Sequence, residues 1–215
     1  MILILDHGLG NLLSVKKAVE EVAGSEKVTV SDNPLDLMSA DRIILPGVGN
    51  FKTGISNLRR NGLVEPLRER VLGNEIPLLG ICLGMQLLCE WGEEDGLHKG
   101  IGLIDGHVRK LDAGGFPLPH LGWDDIESTR EDYLLSGLVR DKDYYFVHSY
   151  VVECPKDFVV AWCDYGERFP ALIRKGNICG SQFHPEKSRG AGLSILRNFL
   201  VGSECSKSEW FLSFS

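Results

Sequence analysis

Residues 76–88 read IPLLGICLGMQLL, the longest nearly apolar run in the chain. Pro77, Gly80, Gly84 and Gln86 interrupt it, and it falls short of the roughly 18 apolar residues that cross a membrane. The pattern predicts a buried strand over Ile76–Ile81 and a helix from about Leu83 to Trp91, meeting at Cys82 with no loop between them. Upstream, Ile2–Leu5, Val28–Val30 and Arg42–Leu45 read as further apolar strands. Helical patterns separate them at about Asn11–Ala23, Pro34–Ala40 (with Asn33 as a cap), Gly54–Arg60 and Val64–Leu72. Continuous apolar strands alternating with helices predict a mostly parallel sheet covered on both faces.

The second half changes character. Val108–Leu111, Asp124–Ile126, Tyr144–Val152, Phe158–Trp162, Ala171–Arg174 and Ile178–Phe183 are β-rich, and Gly190 and Gly192 lead into a final amphipathic helix at Leu193–Leu200. The expected fold class is therefore α/β: a central sheet flanked by helices, with an additional antiparallel β portion. Residues 1–201 are expected to form a single domain, and the Ser-rich tail 202–215 to fray.

The chain has 215 residues, long enough to bury a core without staples. Its 23 Lys and Arg against 30 Asp and Glu give a formal charge of −7, which argues against nucleic-acid and acidic-membrane binding. Glycine is abundant, 25 residues against a usual share of about 7%. The six cysteines (82, 89, 154, 163, 179 and 205) show no CxxC and no small-scaffold spacing, and the N-terminal apolar run stops at Asp6. A reduced, cytoplasmic protein without a leader peptide is expected.

Gly80-Ile81-Cys82-Leu83-Gly84 is G-x-C-x-G, a thiol version of the nucleophile elbow. Such a turn holds its nucleophile in a strained conformation at a helix N-terminus, which favours thiolate, and small neighbours let strand and helix approach. From the pentapeptide alone, a core cysteine between packing glycines is an equal reading. A thiol needs a base and the base an orienter. His184-Pro185-Glu186 offers both, since in an extended segment positions 184 and 186 face the same way. Pro46-Gly47-Val48-Gly49 closes a parallel strand, where exposed N–H groups could join that of Leu83 in an oxyanion hole. Gly8-Leu9-Gly10 lacks the third glycine of a dinucleotide fingerprint, and no Cys/His spacing fits zinc. Cys89, two helical turns beyond Cys82, reads as core.

With Cys82, His184 and Glu186 in this order, the chain resembles the triad (class I) glutamine amidotransferases, of flavodoxin-like architecture. GICLGMQLL and QFHPEKS carry the resemblance, which covers residues 1 to about 201. Within the family, DHGLGN (6–11), LPGVGNF (45–51), PHLGW (119–123), YFVHSY (145–150), DYGERFPA (164–171) and HPEKS (184–188) are most similar to the glutaminase subunits of imidazole glycerol phosphate synthase. The resemblance implies hydrolysis of L-glutamine, with ammonia passed to a partner (β/α)8-barrel cyclase in a heterodimer. That cyclase converts PRFAR to imidazole glycerol phosphate and AICAR in histidine biosynthesis. No organic cofactor or metal is implied.

Carried over by position, Cys82 is the nucleophile, His184 the proton shuttle and Glu186 its orienter. Gln86, with backbone around Gly49, Ser181 and Gln182, would hold the substrate. Asn11, Trp123, His148, Tyr150 and Lys187 fall in segments resembling the cyclase-facing surface. Two glycines make a backbone flip cheap, so the 46–49 turn is expected to reorient when the cyclase binds its ligand. His7, where the family usually has tyrosine, and Asn50, in place of a smaller residue, depart from the pattern. The triad does not separate this reading from a paralogue feeding ammonia to a sugar-amidating synthase. A non-catalytic interaction subunit of the same fold is the other alternative.

Overall fold

The computed structural model describes residues 1–138 and 143–202. Strands β1 (Ile2–Leu5), β2 (Val28–Ser31), β3 (Arg42–Gly47) and β4 (Leu78–Cys82) alternate with helices α1 (Leu12–Val22), α2 (Pro34–Leu37), α3 (Phe51–Arg60) and α4 (Val64–Arg68). A π turn at Glu69–Gly73 extends α4, and β4 passes directly into α5 (Leu83–Leu87). There follow β5 (Cys89–Gly92), β6 (His98–Lys99), β7 (Ile104–Lys110), β8 (His120–Asp124), β9 (Glu127–Ser128), β10 (Tyr144–His148) and β11 (Tyr150–Glu153). β12 (Val159–Tyr165), β13 (Glu167–Lys175), β14 (Ile178–Ser181) and α6 (Arg189–Gly202) complete the described elements.

Among the described residues the main sheet runs β2-β1-β3-β4-β14-β13-β12-β9. It is parallel from β2 to β14 and antiparallel beyond. Period-two alternation explains why its parallel strands read as unbroken apolar runs. Ile2 and Ile4 face α1 and α6, packing with Val15, Val19, Ile195 and Phe199. Leu3 and Leu5 face the opposite layer, with Phe51, Ile55 and Leu58 of α3. Asn11, Asn33 and Asn50 cap α1, α2 and α3 by accepting the N–H of Ser14, Leu35 and Thr53.

Four local expectations are corrected. The helix expected to reach Trp91 stops after Leu87, because the carbonyls of Leu87, Leu88, Cys89 and Glu90 are taken by N–H groups of residues 100–104 rather than by a next helical turn. Cys89 consequently opens β5 and is buried core, not two turns along a helix. The stretch 144–152 is two strands in two sheets: β10 pairs with β8, and β11 with β7. Strand structure was expected at Asp124–Ile126, yet β8 ends at Asp124 and β9 starts at Glu127. Last, α6 begins at Arg189, so Gly190 and Gly192 lie inside the helix; a Cβ on Gly192 would fall 2.0 Å from the Pro185 carbonyl oxygen. α6 runs to Gly202, and the rest of the expected tail lies outside the described residues.

Candidate active site

Cys82 ends β4 at φ +52° and ψ −110°, a conformation a non-glycine residue holds only when its surroundings enforce it. The enforcement is visible on both sides. A Cβ at Gly80 would lie 2.7 Å from the backbone of Met85, and one at Gly84 would lie 1.8 Å from the carbonyl oxygen of Leu45. Strand and helix therefore close on each other with no room for a side chain, and the thiol sits at the apex. In register, Cys82 lies opposite Gly47 of β3.

β14 lies on the other side of β4, and the chain leaving it brings in His184. Pro185–Lys187 forms a 3₁₀ turn rather than the extended segment expected. The turn still joins the pair, with His184 Nδ1 2.8 Å from Glu186 Oε1 and both side chains buried. The His184 backbone is fixed as well. Its N–H donates to the Tyr145 carbonyl, and Ser188 Oγ donates to the His184 carbonyl while accepting the Tyr145 N–H.

With Nδ1 held by Glu186, Nε2 remains for Cys82; it is buried with no hydrogen-bond partner among the described residues. Burial would lower the imidazolium's pKa, but the charge of Cys82 and then the bond to Glu186 outweigh it and raise it to about 10. His184 thus keeps its ring proton against burial where it faces Cys82.

A cavity of about 420 Å³ opens over Cys82. Val48, Gly49, Leu83 and Gln86, all expected at the site, line it. Gln86 Nε2 donates to the Tyr150 carbonyl at 2.8 Å and to Gln182 Oε1 at 3.1 Å, while Gln182 Nε2 reaches Cys82 Sγ at 3.7 Å. The Cys82 thiol also points at the Val147 carbonyl, 3.8 Å away. Gly49 has φ +100°, and the Val48 N–H is turned to the Leu9 carbonyl at 3.4 Å, away from an oxyanion. Gly47 does not line the cavity; its hydrogen faces Leu83 in a gap that a Cβ would overfill. Ser181 is buried, donates to the Phe183 carbonyl and does not line the cavity.

Glu94 lines the cavity and was missed in the sequence. Its Oε2 accepts the Phe51 N–H at 2.7 Å, and Asp95 next to it accepts Asn50 Nδ2 at 2.9 Å. The acidic run Glu93-Glu94-Asp95, so soon after the nucleophile, was the available signal. Of the residues expected to face a partner, Asn11 is exposed at the start of α1. Trp123 is 45% exposed, against Tyr145 and the Arg189 guanidinium, and Lys187 Nζ lies over the Tyr145 ring. His148 is different. It is 6% exposed, and with Tyr150 it walls the cavity rather than the outer surface. His7 is buried too, 2.8 Å from the Pro46 carbonyl.

The model of the family described as glutamine amidotransferase class-I matches residues 3–203. The chain belongs to that family. Among amidotransferases of known sequence, imidazole glycerol phosphate synthase subunit HisH 1 of Campylobacter jejuni subsp. jejuni serotype O:23/36 (strain 81-176) is 44% identical over 200 residues, covering 93% of this chain and 98% of the relative. Subunit HisH of Symbiobacterium thermophilum is 46% identical over 199 residues, 92% of each.

Solved amidotransferases share the fold. One crystal structure superposes with a TM-score of 0.70 at 21% identity, covering 93% of this chain and 96% of that one. A glutamine amidotransferase from Thermotoga maritima gives 0.63 at 16% identity, over 95% and 97%. The mostly parallel sheet with its antiparallel extension is thus the class I amidotransferase fold, as expected. Among the described residues no helix is long and apolar enough to cross a membrane, and no group of three His, Cys, Asp or Glu could hold a metal ion.

Proposed function

We propose that this chain is the glutaminase subunit of an imidazole glycerol phosphate synthase, hydrolysing L-glutamine in the cytoplasm through Cys82, His184 and Glu186. The observation that carries the reading is the strained Cys82 elbow with the buried His184–Glu186 pair beside it. The Cys82 thiolate attacks the side-chain carbonyl carbon of glutamine, and the resulting oxyanion is stabilised by the Leu83 N–H and by an N–H of the 48–49 turn. The His184 imidazolium gives its proton to the departing nitrogen, releasing ammonia and leaving a γ-glutamyl thioester. His184, now neutral, takes a proton from water as it attacks the thioester, and glutamate leaves. Glu186 keeps the imidazole in the tautomer and orientation both steps need.

Gln86, steadied by the buried Gln182, holds the substrate beside the sulfur. Glu94 is placed to take its α-ammonium, because an ionised carboxylate at the cavity wall attracts a cation. Val48 must leave the Leu9 carbonyl before its N–H can serve the oxyanion. Such a turn suits a glutaminase that stays idle until its synthase is ready.

The partner in this reading is a (β/α)8-barrel cyclase, which receives the ammonia and uses it on PRFAR. The exposed Trp123 with Tyr145, Lys187 and Arg189 around it forms the docking face nearest His184. The test is glutamine hydrolysis by the chain mixed with a histidine-pathway cyclase, with and without PRFAR. Co-purification and a PRFAR-dependent rise in glutamate are expected. Equal turnover by the isolated chain and the PRFAR-bound complex contradicts the idling turn, and absence of any complex contradicts the assignment.

A further inference from the structure

His120 and His148 are buried imidazoles that thioester chemistry does not use. They lie opposite each other in the β8–β10 ladder. His120 Nδ1 is 3.3 Å from His148 Nε2, and His120 Nε2 is 3.1 Å from Asp124 Oδ2. His148 Nδ1 is 3.0 Å from the Tyr150 carbonyl, which also accepts Gln86 Nε2. A hydrogen-bonded line therefore runs from Asp124, whose side chain is 42% exposed, to the amide of Gln86 in the cavity wall.

The protons along this line follow from donor and acceptor chemistry. A carbonyl only accepts, so His148 Nδ1 carries a hydrogen. Burial, reinforced by repulsion from His120, lowers the His148 pKa to about 3; the ring is neutral and its Nε2 is a lone pair. The 3.3 Å contact is then a hydrogen bond only with a proton on His120 Nδ1. The Asp124 carboxylate asks for a proton on His120 Nε2 at the same time. Burial lowers the His120 pKa as well, against the opposing pull of Asp124. At neutral pH one N–H therefore faces two acceptors. Tyr165 and Phe146 stack on the His120 ring at 4.0 and 4.8 Å, with Phe169 at its edge. Held in that plane, the imidazole chooses its acceptor by tautomer, not by rotation.

We propose that His120 is a positioning residue of the glutamine site: with its proton on Nδ1 it braces His148 and the Tyr150 carbonyl that orients Gln86, and with its proton on Nε2 it turns to Asp124 and loosens that brace. The kinetic consequence rests on the glutaminase reading; the brace itself does not. Acid supplies the second proton and satisfies both acceptors. The groups that bear on this titration are Asp124 on β8, His148 on β10, the Tyr165 hydroxyl (donating to the Pro117 carbonyl) and the Cys163 thiol on β12, and His184, which acts on His148.

The test uses the full chain with its cyclase and three variants. His120→Phe keeps a stacked ring without a donor, His120→Asn places a non-titrating amide N–H near Nδ1, and Asp124→Asn offers Nε2 a donor and so favours the proton on Nδ1. His120→Phe is expected to raise KM for glutamine about five- to tenfold with kcat within about twofold, the loss of one neutral hydrogen bond's orientation. His120→Asn is expected to restore KM and to flatten its pH profile on the acid side of neutral, where the lowered His120 imidazole takes up its second proton. Asp124→Asn is expected to move the ¹⁵N signals of His120 to the Nδ1–H tautomer and to lower KM.

An unchanged KM in His120→Phe overturns the proposal, as does His120→Asn behaving like His120→Phe, or a tautomer shift in Asp124→Asn with no change in KM. The side-chain amide signal of Gln86 supplies a readout independent of turnover. It should shift in His120→Phe and return in His120→Asn. If chain and cyclase hydrolyse no glutamine, the glutaminase reading fails while the Gln86 signal still decides the brace.

Discussion

The carbonyl oxygen of Leu45 occupies the place where a side chain at Gly84 would begin, 1.8 Å from the Cβ position. The first turn of α5 thus rests directly on the backbone of β3, and the elbow at Cys82 follows from that contact. Gly84→Ala must push strand and helix apart, and overpacking of this kind costs about 3 kcal/mol or more when backbone is the obstacle. Urea unfolding should show a midpoint well below the parent's; an unaltered midpoint would mean the layers slide apart at little cost.

Cys82→Ala should abolish glutamine-dependent synthesis by the complex while ammonia-dependent synthesis by the cyclase persists. In the proposed complex the thiol belongs to this chain and the ring-forming site to the cyclase, so the two activities divide. Assays with glutamine and with ammonium salts, run on one purified complex, separate the two. Loss of both activities from a folded complex would contradict the division.

His184→Ala should lose turnover by a much larger factor than Glu186→Gln. In the proposed mechanism His184 moves the proton in both half-reactions, whereas Glu186 acts through one 2.8 Å contact that a glutamine oxygen can still accept. Pre-steady-state thioester formation is the measurement, and equal losses would assign Glu186 a proton-transfer role of its own.

Glu94→Gln should raise KM for glutamine roughly 10- to 100-fold, the range for a hydrogen bond to a charged partner. The substituted side chain keeps an oxygen for the Phe51 N–H, so the start of α3 should hold. Glutamine analogues without the α-amino group provide the control: the parent and the variant should bind them alike.

Stability should fall on both sides of neutral pH, for opposite reasons. His148 has its pKa lowered to about 3, so below about pH 6.5 the unfolded chain takes up a proton that the folded chain refuses. That loss amounts to about 1.4 kcal/mol per pH unit until pH approaches 3. His184 is raised to about 10, so its contribution is complete below about 6.5 and disappears as pH climbs toward 10. Denaturation midpoints across this range should flatten on the acid side in His148→Asn, and an acid limb as steep as the parent's would assign it to other groups.

Local chemistry made much of this legible in the sequence, and long-range pairing hid the rest. Cys82 between two glycines, His184 beside Glu186, and the Asn33 cap could be read because each depends on neighbours a few residues away. The end of α5 could not, since residues 100–104 decide it by taking its carbonyls. Nor could the burial of His148: the break at Ser149 sends the flanking strands into different sheets and turns the ring inward. Glu94 escaped notice because it lies just past the helix that was expected to continue. The pairing of His184 with Glu186 was anticipated through an extended segment and is reached through a 3₁₀ turn, as two residues of that spacing can meet by either path.

The order β3-β4-β14 has a consequence for the making of the protein. Cys82 ends the middle strand, with the Pro46–Gly49 turn on one flank and His184 on the other, yet His184 follows Cys82 by about a hundred residues. A ribosome therefore releases the thiol long before the imidazole on its other flank. Until β14 slots in beside β4, a nascent chain carries the sulfur of Cys82 without the imidazole that flanks it in the finished fold. Competence arrives late in synthesis, when the last strand of the parallel set docks.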